Sequence, residues 1–592
     1  MFSKSWRVIL PLLMATGCGD KTEVKVDDAP STVSAKEAGK PVTGDWLLYS
    51  VGAEPEQLNP FTSSDGAARD VFDDHIFQSL LIRDRKTLEL RPYVAEERPT
   101  ISADHLTYTF KLRRDVRFQD GRPMTGEDVL FSVKTIKCPL VNAPHLRVYF
   151  NALVAAELVD PYTIKMTMKE PYFLNESVLG GNIYVIPRHH YDPENLLGKI
   201  AVRDLLQDPG KLPAEVKRFA ENFNKNYNRN PLGTGPYKFN FWKTGREIEL
   251  LRDPKYWGRN KPGIEQVYLD RIKFRIINND DAALVTLKSG GLDYIERLNP
   301  VQGVRGTNSE RFKREFRKLE YYYPYFAYIG WNNNHPIFSD KRVRQAMTYF
   351  TDRKQIVKTI LFGYGEVVDS PIYLFRPEYN KSLFSYPYDP NKAMELLKEA
   401  GWQDSDGDGI LDKTIDGKKI PFRFEFKVPA SSSTGKSVLL VLQEELKRHG
   451  IAASVREIDW PIFLGDVRNH KFDVVTMAWG MNASEPDDFQ VWHSSQAVKN
   501  GSNHISYKNA RVDKILEDYR GEFDAKKRIA LYQEYQRILN DEQPYTFLYA
   551  RKYVSAIHRR FENVEAYAEG LKPDLWWVPA GRQKYISEAT LP

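Results

Sequence analysis

The feature that most constrains this chain is the alternation of short strand-like and helix-like runs along nearly its whole length. "DWLLYSVG" (residues 45–52) reads as an opening strand, and "DRIKFRII" (270–277) as another. "NDDAALVTLKSGGLDYI" (279–295) reads as a helix with a glycine stop and a following strand. "DKRVRQAMTYFTDRKQIVKTILFGYG" (340–365) reads as two helices, "KFDVVTMAWGMN" (471–482) as a strand running into a loop, and "AKKRIALYQEYQRILNDE" (525–542) as one helix. "DHLTYTFKLRRDVRFQDGRPMT" (104–125) is expected to fold as a hairpin closed by an Asp-Gly turn. Thr125 should then cap a helix with Asp128 at its third position. Such alternation predicts an α/β chain with mixed sheets. At 592 residues one core is too few, and two or more lobes are expected.

The N-terminus predicts export. Lys4 and Arg7 precede an apolar run from Val8 to Met14, and Ala15, Thr16 and Gly17 lead to Cys18. That is the layout of a secretory signal over residues 1–17. The apolar run falls well short of the roughly 20 residues needed to span a bilayer. "MATGC" is similar to a bacterial lipobox, which makes Cys18 the expected lipidated first residue of the mature chain, although Ala15 stands where such motifs usually carry Leu. Residues 19–45 are polar, contain Pro and Gly, and are expected to form a disordered tether of about 25–30 Å on average.

"VPASSSTGKSVLLVLQEEL" (428–446) looks like a phosphate-binding loop, since Thr434-Gly435-Lys436-Ser437 follows a strand-like run and opens a helix. The pattern needs Gly at position 430, however, and the chain has Ala430. A Ser/Thr-rich N-cap accounts for the same residues, and an exported protein meets little ATP. The formal net charge of +6 is too mild to imply nucleic acid. With 2 Cys in total and Cys18 assigned to the anchor, Cys138 stands alone and is expected to be a small buried hydrophobe. Aromatic residues make up 13% of the chain, enough to line a cleft as well as fill a core. "DSDGDGILD" places Asp404, Asp406 and Asp408 at alternate positions before Gly409, like the start of a calcium loop, with Asp412 able to join through water. The closing Glu is absent, because position 415 is Ile415. No other cofactor is expected.

Five further stretches occur in an order that resembles one family. They are "EPEQLNPF" (54–61), "LTYTFKLRRDVRFQDGRPMTGEDVLFS" (106–132), "NPLGTGPYKFNFWKTGREIELLRDPKYW" (230–257), "YIGWNNNHPIFSDKRVRQAM" (328–347) and "YDPNKAMELLKEAGW" (388–402). Together they resemble the family 5 extracellular solute-binding proteins, the oligopeptide- and dipeptide-binding partners of ABC importers. The resemblance implies a two-lobed periplasmic-binding-protein-like fold of the large peptide-binding class, with a hinge between lobes. Lobe one would span residues 46–326, lobe two 327–544, and residues 545–592 would return to lobe one. It further implies a monomer, held at the membrane only by a lipid anchor, in the periplasm or on the outer face of the cytoplasmic membrane. It would deliver its ligand to an ABC permease whose ATPase subunits are cytoplasmic.

In peptide-binding relatives a loop after a lobe-two strand carries Trp-x-x-Asp, whose Asp holds the peptide ammonium. This chain reads "AWGMNASEPDDF" (478–489), so Trp479, Glu485 and Pro486 match while Asn482 replaces the Asp. Trp479, Asn482, Glu485, Glu54 and Tyr328 are therefore the expected ligand-binding residues, with Glu485, Glu54 or Glu56 as substitute acids. A neutral Asn482 predicts only a weak preference for a free peptide N-terminus. A non-peptide solute such as a sugar, opine or metal chelate is the alternative ligand. A secreted hydrolase is the alternative class, and it would need a nucleophile and base for which no HExxH, GxSxG or CxxC motif is present.

Overall fold

The computed structural model describes residues 39–63, 65–430, 432–481, 485–499 and 501–585. Cys18 and Asn482 lie outside the described residues. The main sheet has twelve strands. These are β1 (Trp46–Val51), β2 (Tyr237–Lys243), β3 (Glu247–Arg252), β4 (Arg271–Ile276), β5 (Tyr294–Ile295) and β6 (Phe316–Tyr322), followed by β7 (Tyr325–Trp331), β8 (Gly365–Val367), β9 (Arg423–Pro429), β10 (Ala452–Ile458), β11 (Val474–Gly480) and β12 (Tyr545–His558). Their order is β10-β9-β11-β7-β12-β5-β1-β4-β3-β2, with β6 and β8 also paired to β12. Parallel pairs (β1 with β4, β9 with β10) and antiparallel pairs (β7 with β11, β12 with β6) share the sheet. The mixed α/β architecture is thus the one the alternation predicts.

Each strand is built from a run in which apolar residues recur at the strand period. In β4, Ile272 and Phe274 are buried while Arg271, Lys273 and Arg275, which alternate with them, are not. β7 is buried at six of its seven positions and sits centrally, between β11 and β12. One apolar cluster draws on residues between 47 and 321 and between 557 and 578. Two others, on either side of β7, draw on residues between 326 and 550. Cys138 is wholly buried in the first of these cores, as expected of a small apolar side chain.

The end of the chain is tied to its beginning by charge. Arg560, 4% exposed, donates to Asp45 at 3.0 Å and to Asp293 at 2.7 Å, and also to the Trp46 carbonyl at 3.0 Å. Asp293 Oδ2 in turn accepts from the Leu48 amide at 3.0 Å, which fixes β1 and β5 to the returning segment.

The hairpin expected over residues 104–125 is not formed as such. Only its tip closes, through a bridge between Arg117 and Pro123 around Gly121, whose φ is +91°. The strand Thr107–Lys111 instead pairs with Thr163–Met168 and with Thr100–Ile101 in a separate four-stranded sheet. The following helix does start as read, over Gly126–Lys137, and the Thr125 amide donates to Asp128 Oδ2 at 2.9 Å. Gly233 and Gly235 are required by close approach. A Cβ at either would collide with the carbonyls of Ile76 and His75, onto which Gly235 and Tyr237 donate at 2.9 Å. Among the described residues no helix is long and apolar enough to cross a membrane.

Candidate functional site

A cavity of about 1330 Å³ opens between segments far apart in the chain. Residues 69–90 and 148–184 supply one part of its lining, and residues 371–376, 479–481 and 485–492 another. It exceeds the roughly 300–1,000 Å³ of a pocket for a drug-sized molecule. Its lining mixes aromatic rings (Tyr172, Tyr184, Phe326, Trp479) with charged side chains.

The loop that follows β11 is its most densely bonded wall. Asp487 is held by Arg520, whose Nη2 lies 2.7 Å from Oδ2, and the Tyr172 hydroxyl donates to that same oxygen at 2.6 Å. The Arg520 guanidinium stacks over the Phe489 ring at 3.9 Å. Asp488 is set differently. Its amide donates to the Tyr532 hydroxyl at 2.9 Å, and its Oδ2 accepts from Tyr535 at 3.1 Å. The two tyrosines stand three apart on the helix Ala525–Glu542 and so share a face. Burial, followed by the charge of Asp487, pushes the Asp488 carboxyl up to about 7. Elsewhere in the lining, Arg83 donates to the Leu88 carbonyl at 2.9 Å and to Ser177 at 2.7 Å, and burial lowers its pKa. Asp73 accepts from the Tyr184 hydroxyl and is raised by burial and by its neighbour Asp74.

Of the residues expected at the site, Trp479 and Glu485 line the cavity. The Trp479 indole donates to the Tyr545 hydroxyl at 3.3 Å and stacks on His504. Glu485 is held by Arg528 at 3.0 Å. Two expectations need correction. Tyr328 is 1% exposed and stacked on Tyr545 at 3.9 Å inside the core, while Phe326, two residues earlier on β7, reaches the cavity. Glu54 does not line the cavity either. It accepts from Trp242 Nε1 at 2.7 Å and from the Gly245 amide at 3.0 Å, which clamps the β2–β3 turn.

Reading the sequence missed Tyr172, Arg520, Arg83, Asp73 and Asp488. Only Asp488 left a signal, as the second of two acids directly after Pro486.

The acidic loop brings together Asp404, Asp406 and Asp412, whose ligand atoms lie within 4.8 Å of one another. Asp408, expected among them, faces the Ile410 amide and Arg423 instead. Lys419 lies against Asp406 and, at 3.1 Å, Asp412. The segment resembling a phosphate loop is a helix N-cap. Ser432 Oγ accepts from the Gly435 amide at 3.3 Å, and Lys436 pairs with Glu457 at 2.6 Å.

This fold and cavity are those of a solute-binding protein. Residues 89–501 match the family described as "Bacterial extracellular solute-binding proteins, family 5 Middle", and the chain belongs to that family. It is 29% identical over 582 residues to the oligopeptide-binding protein AppA of Bacillus subtilis, covering 96% of this chain and 97% of that one. It is 27% identical over 530 residues to protein XP55 of Streptomyces lividans, covering 88% and 87%. Among solved structures, AppA in complex with a nonapeptide superposes with a TM-score of 0.73 at 28% identity, over 91% of this chain and 100% of that one. NikZ from Campylobacter jejuni in complex with Ni(L-His) superposes with a TM-score of 0.71 at 26% identity, over 90% and 99%. Of these relatives, AppA is an oligopeptide-binding protein and NikZ holds Ni(L-His).

Proposed function

We propose that this chain captures peptides or peptide-like solutes outside the cytoplasm and delivers them to an ABC permease driven by cytoplasmic ATPase subunits. The observation that carries the reading is the large cavity of about 1330 Å³ shared by distant chain segments, in a chain 29% identical along nearly its full length to an oligopeptide-binding protein. In this reading residues 46–326, with the return from 545, form one lobe and residues 327–544 the other, and the two close on the ligand. The separation of the apolar clusters near residue 326 supports the first boundary, while residues 545–550 still pack with the clusters of the second lobe. Cys18 carries a lipid that keeps the monomer at the membrane, and no nucleic acid takes part.

Mass spectrometry of small molecules carried through purification tests the ligand class directly. Peptides are expected, and a sugar, opine or metal chelate in their place would overturn the reading. Cys18→Ser, or globomycin treatment, should alter processing and release the protein from membranes, and unchanged fractionation would remove the anchor from this account.

A further inference from the structure

The charges around the cavity do not balance. Among the described residues, eight acids line it against five arginines. The partners standing behind the wall leave that excess in place, because Arg528 and Lys572 add two cations while Glu265 and Glu378 add two anions. Several charges in the lining are matched. Asp74 pairs with Arg85, Asp487 with Arg520, Glu485 with Arg528, and Arg376 with Glu378. Asp73 and Asp488 are different, since neither has a cation at ion-pair distance among the described residues, and each is bonded at one carboxylate oxygen by a tyrosine hydroxyl.

A carboxylate withdrawn from water without a counter-charge is costly, and it remains so until a cation arrives. In a partly desolvated site a charge-assisted bond is about twice as strong as a neutral one, so an arriving ammonium or guanidinium gains more here than an amide of the same shape. Asp74, Asp487 and Glu485 are already committed to arginines, whereas Oδ1 of Asp488 has no partner among the described residues. Of the acids considered from sequence as stand-ins for the charge missing at Asn482, Glu485 is engaged by Arg528 and Glu54 by Trp242, and neither Glu54 nor Glu56 lines the cavity.

Resting on the peptide reading above, we propose that the cavity selects positively charged peptides and that Asp488 receives one of their cationic groups. Selection follows from the excess of acids. Asp488 is singled out because it is the acid in the Trp479 loop that no basic side chain neutralises.

Calorimetry with three pentapeptides of equal length and free termini tests this. The probes are Ala-Lys-Ala-Lys-Ala, Ala-Gln-Ala-Gln-Ala and Ala-Glu-Ala-Glu-Ala. The Lys peptide is expected to bind at least tenfold more tightly than the Gln peptide, and the Glu peptide most weakly. In Asp488→Asn, which keeps an oxygen for Tyr535, the Lys-to-Gln ratio should fall towards one. Should that variant not fold, salt titration of the unaltered protein decides. Raising the salt should weaken the Lys peptide at least fivefold more than the Gln peptide, and equal weakening would overturn the proposal. Equal affinity for the Lys and Gln peptides or tightest binding of the Glu peptide would overturn the charge selection while leaving peptide binding intact, and an unchanged ratio in Asp488→Asn would overturn the role given to Asp488. Failure of all three peptides to bind would overturn the peptide reading and this inference with it.

Discussion

The Tyr172 hydroxyl donates to Asp487 Oδ2 at 2.6 Å, joining two residues 315 positions apart in the lining of the cavity. The contact is reinforced on both sides. The Phe173 amide donates to the Arg520 carbonyl at 3.2 Å, the Phe173 ring meets Tyr519 edge-on at 4.9 Å, and Arg528 lies 4.3 Å over that same ring. These groups form a latch that holds the segment around residue 172 against the helices that carry Arg520 and Arg528. Tyr172→Phe removes one bond to a charged acceptor, worth about 1.5–3 kcal/mol, while Arg520 still neutralises Asp487. Ligand release measured by stopped flow is expected to quicken by about tenfold or more. An unchanged release rate would show that the latch does not hold the ligand in.

Asp488 sets a pH dependence. With its carboxyl up at about 7, the folded protein keeps a proton that the unfolded chain gives up in the ordinary carboxylate range. The contribution is therefore complete below that range and is lost as pH rises towards 7. The groups facing Asp488 are Asp487, Tyr535 and Tyr532, so its cost above pH 7 comes from burial beside a second acid. Urea unfolding at stepped pH should show Asp488→Asn gaining stability relative to the parent from about pH 4 to about pH 7, then levelling off. A difference that is flat with pH would refute this.

The Arg560 triad carries the closure of the fold. Its carboxylates, Asp45 and Asp293, are 0% and 1% exposed, so Arg560→Met strands both without a counter-charge. Breaking a buried ion pair in this way costs about 3–5 kcal/mol. The midpoint of urea unfolding should fall accordingly, and a loss below about 1 kcal/mol would mean that water reaches the site.

Lys436 should be dispensable. It is a half-exposed partner of Glu457 on a capped helix, and such surface pairs contribute about 0–1 kcal/mol. Lys436→Ala is expected to bind ligand as the parent does and to melt within a few degrees of it. Calorimetry should find no ATP binding by either protein, and ATP affinity lost on substitution would restore the nucleotide reading.

What the sequence revealed and what it hid divide along the range of the interactions. The helix Ala525–Glu542 is legible to the residue, because its amphipathic run is unbroken and Asp524 caps it by accepting from Lys526 and Lys527. The strand Thr107–Lys111 was assigned the wrong partner, because its mate begins at Thr163 and nothing local marks a strand more than fifty residues away. The Asp spacing at 404, 406 and 408 suggested one convergence, and backbone turning produced another, with Asp412 in place of Asp408. At the cavity, Trp479 and Glu485 could be found from a loop pattern. Tyr172 could not, since a tyrosine that bonds 315 positions away looks like any other.

Strand β12 pairs with β7 and β8 in its first half and with β6 and β5 in its second. Its side chains enter the three apolar clusters described above through Tyr545, Leu548 and Ile557, and a fourth, around Leu284, Leu287 and Phe312, through Val554. It is therefore the axle of the molecule. A slip of one residue would turn every side chain to the opposite face and shear four interiors at once, so any rotation of one half against the other must be taken up as torsion along an unbroken rod. Elastic twist is thereby the inexpensive deformation, and sliding the forbidden one.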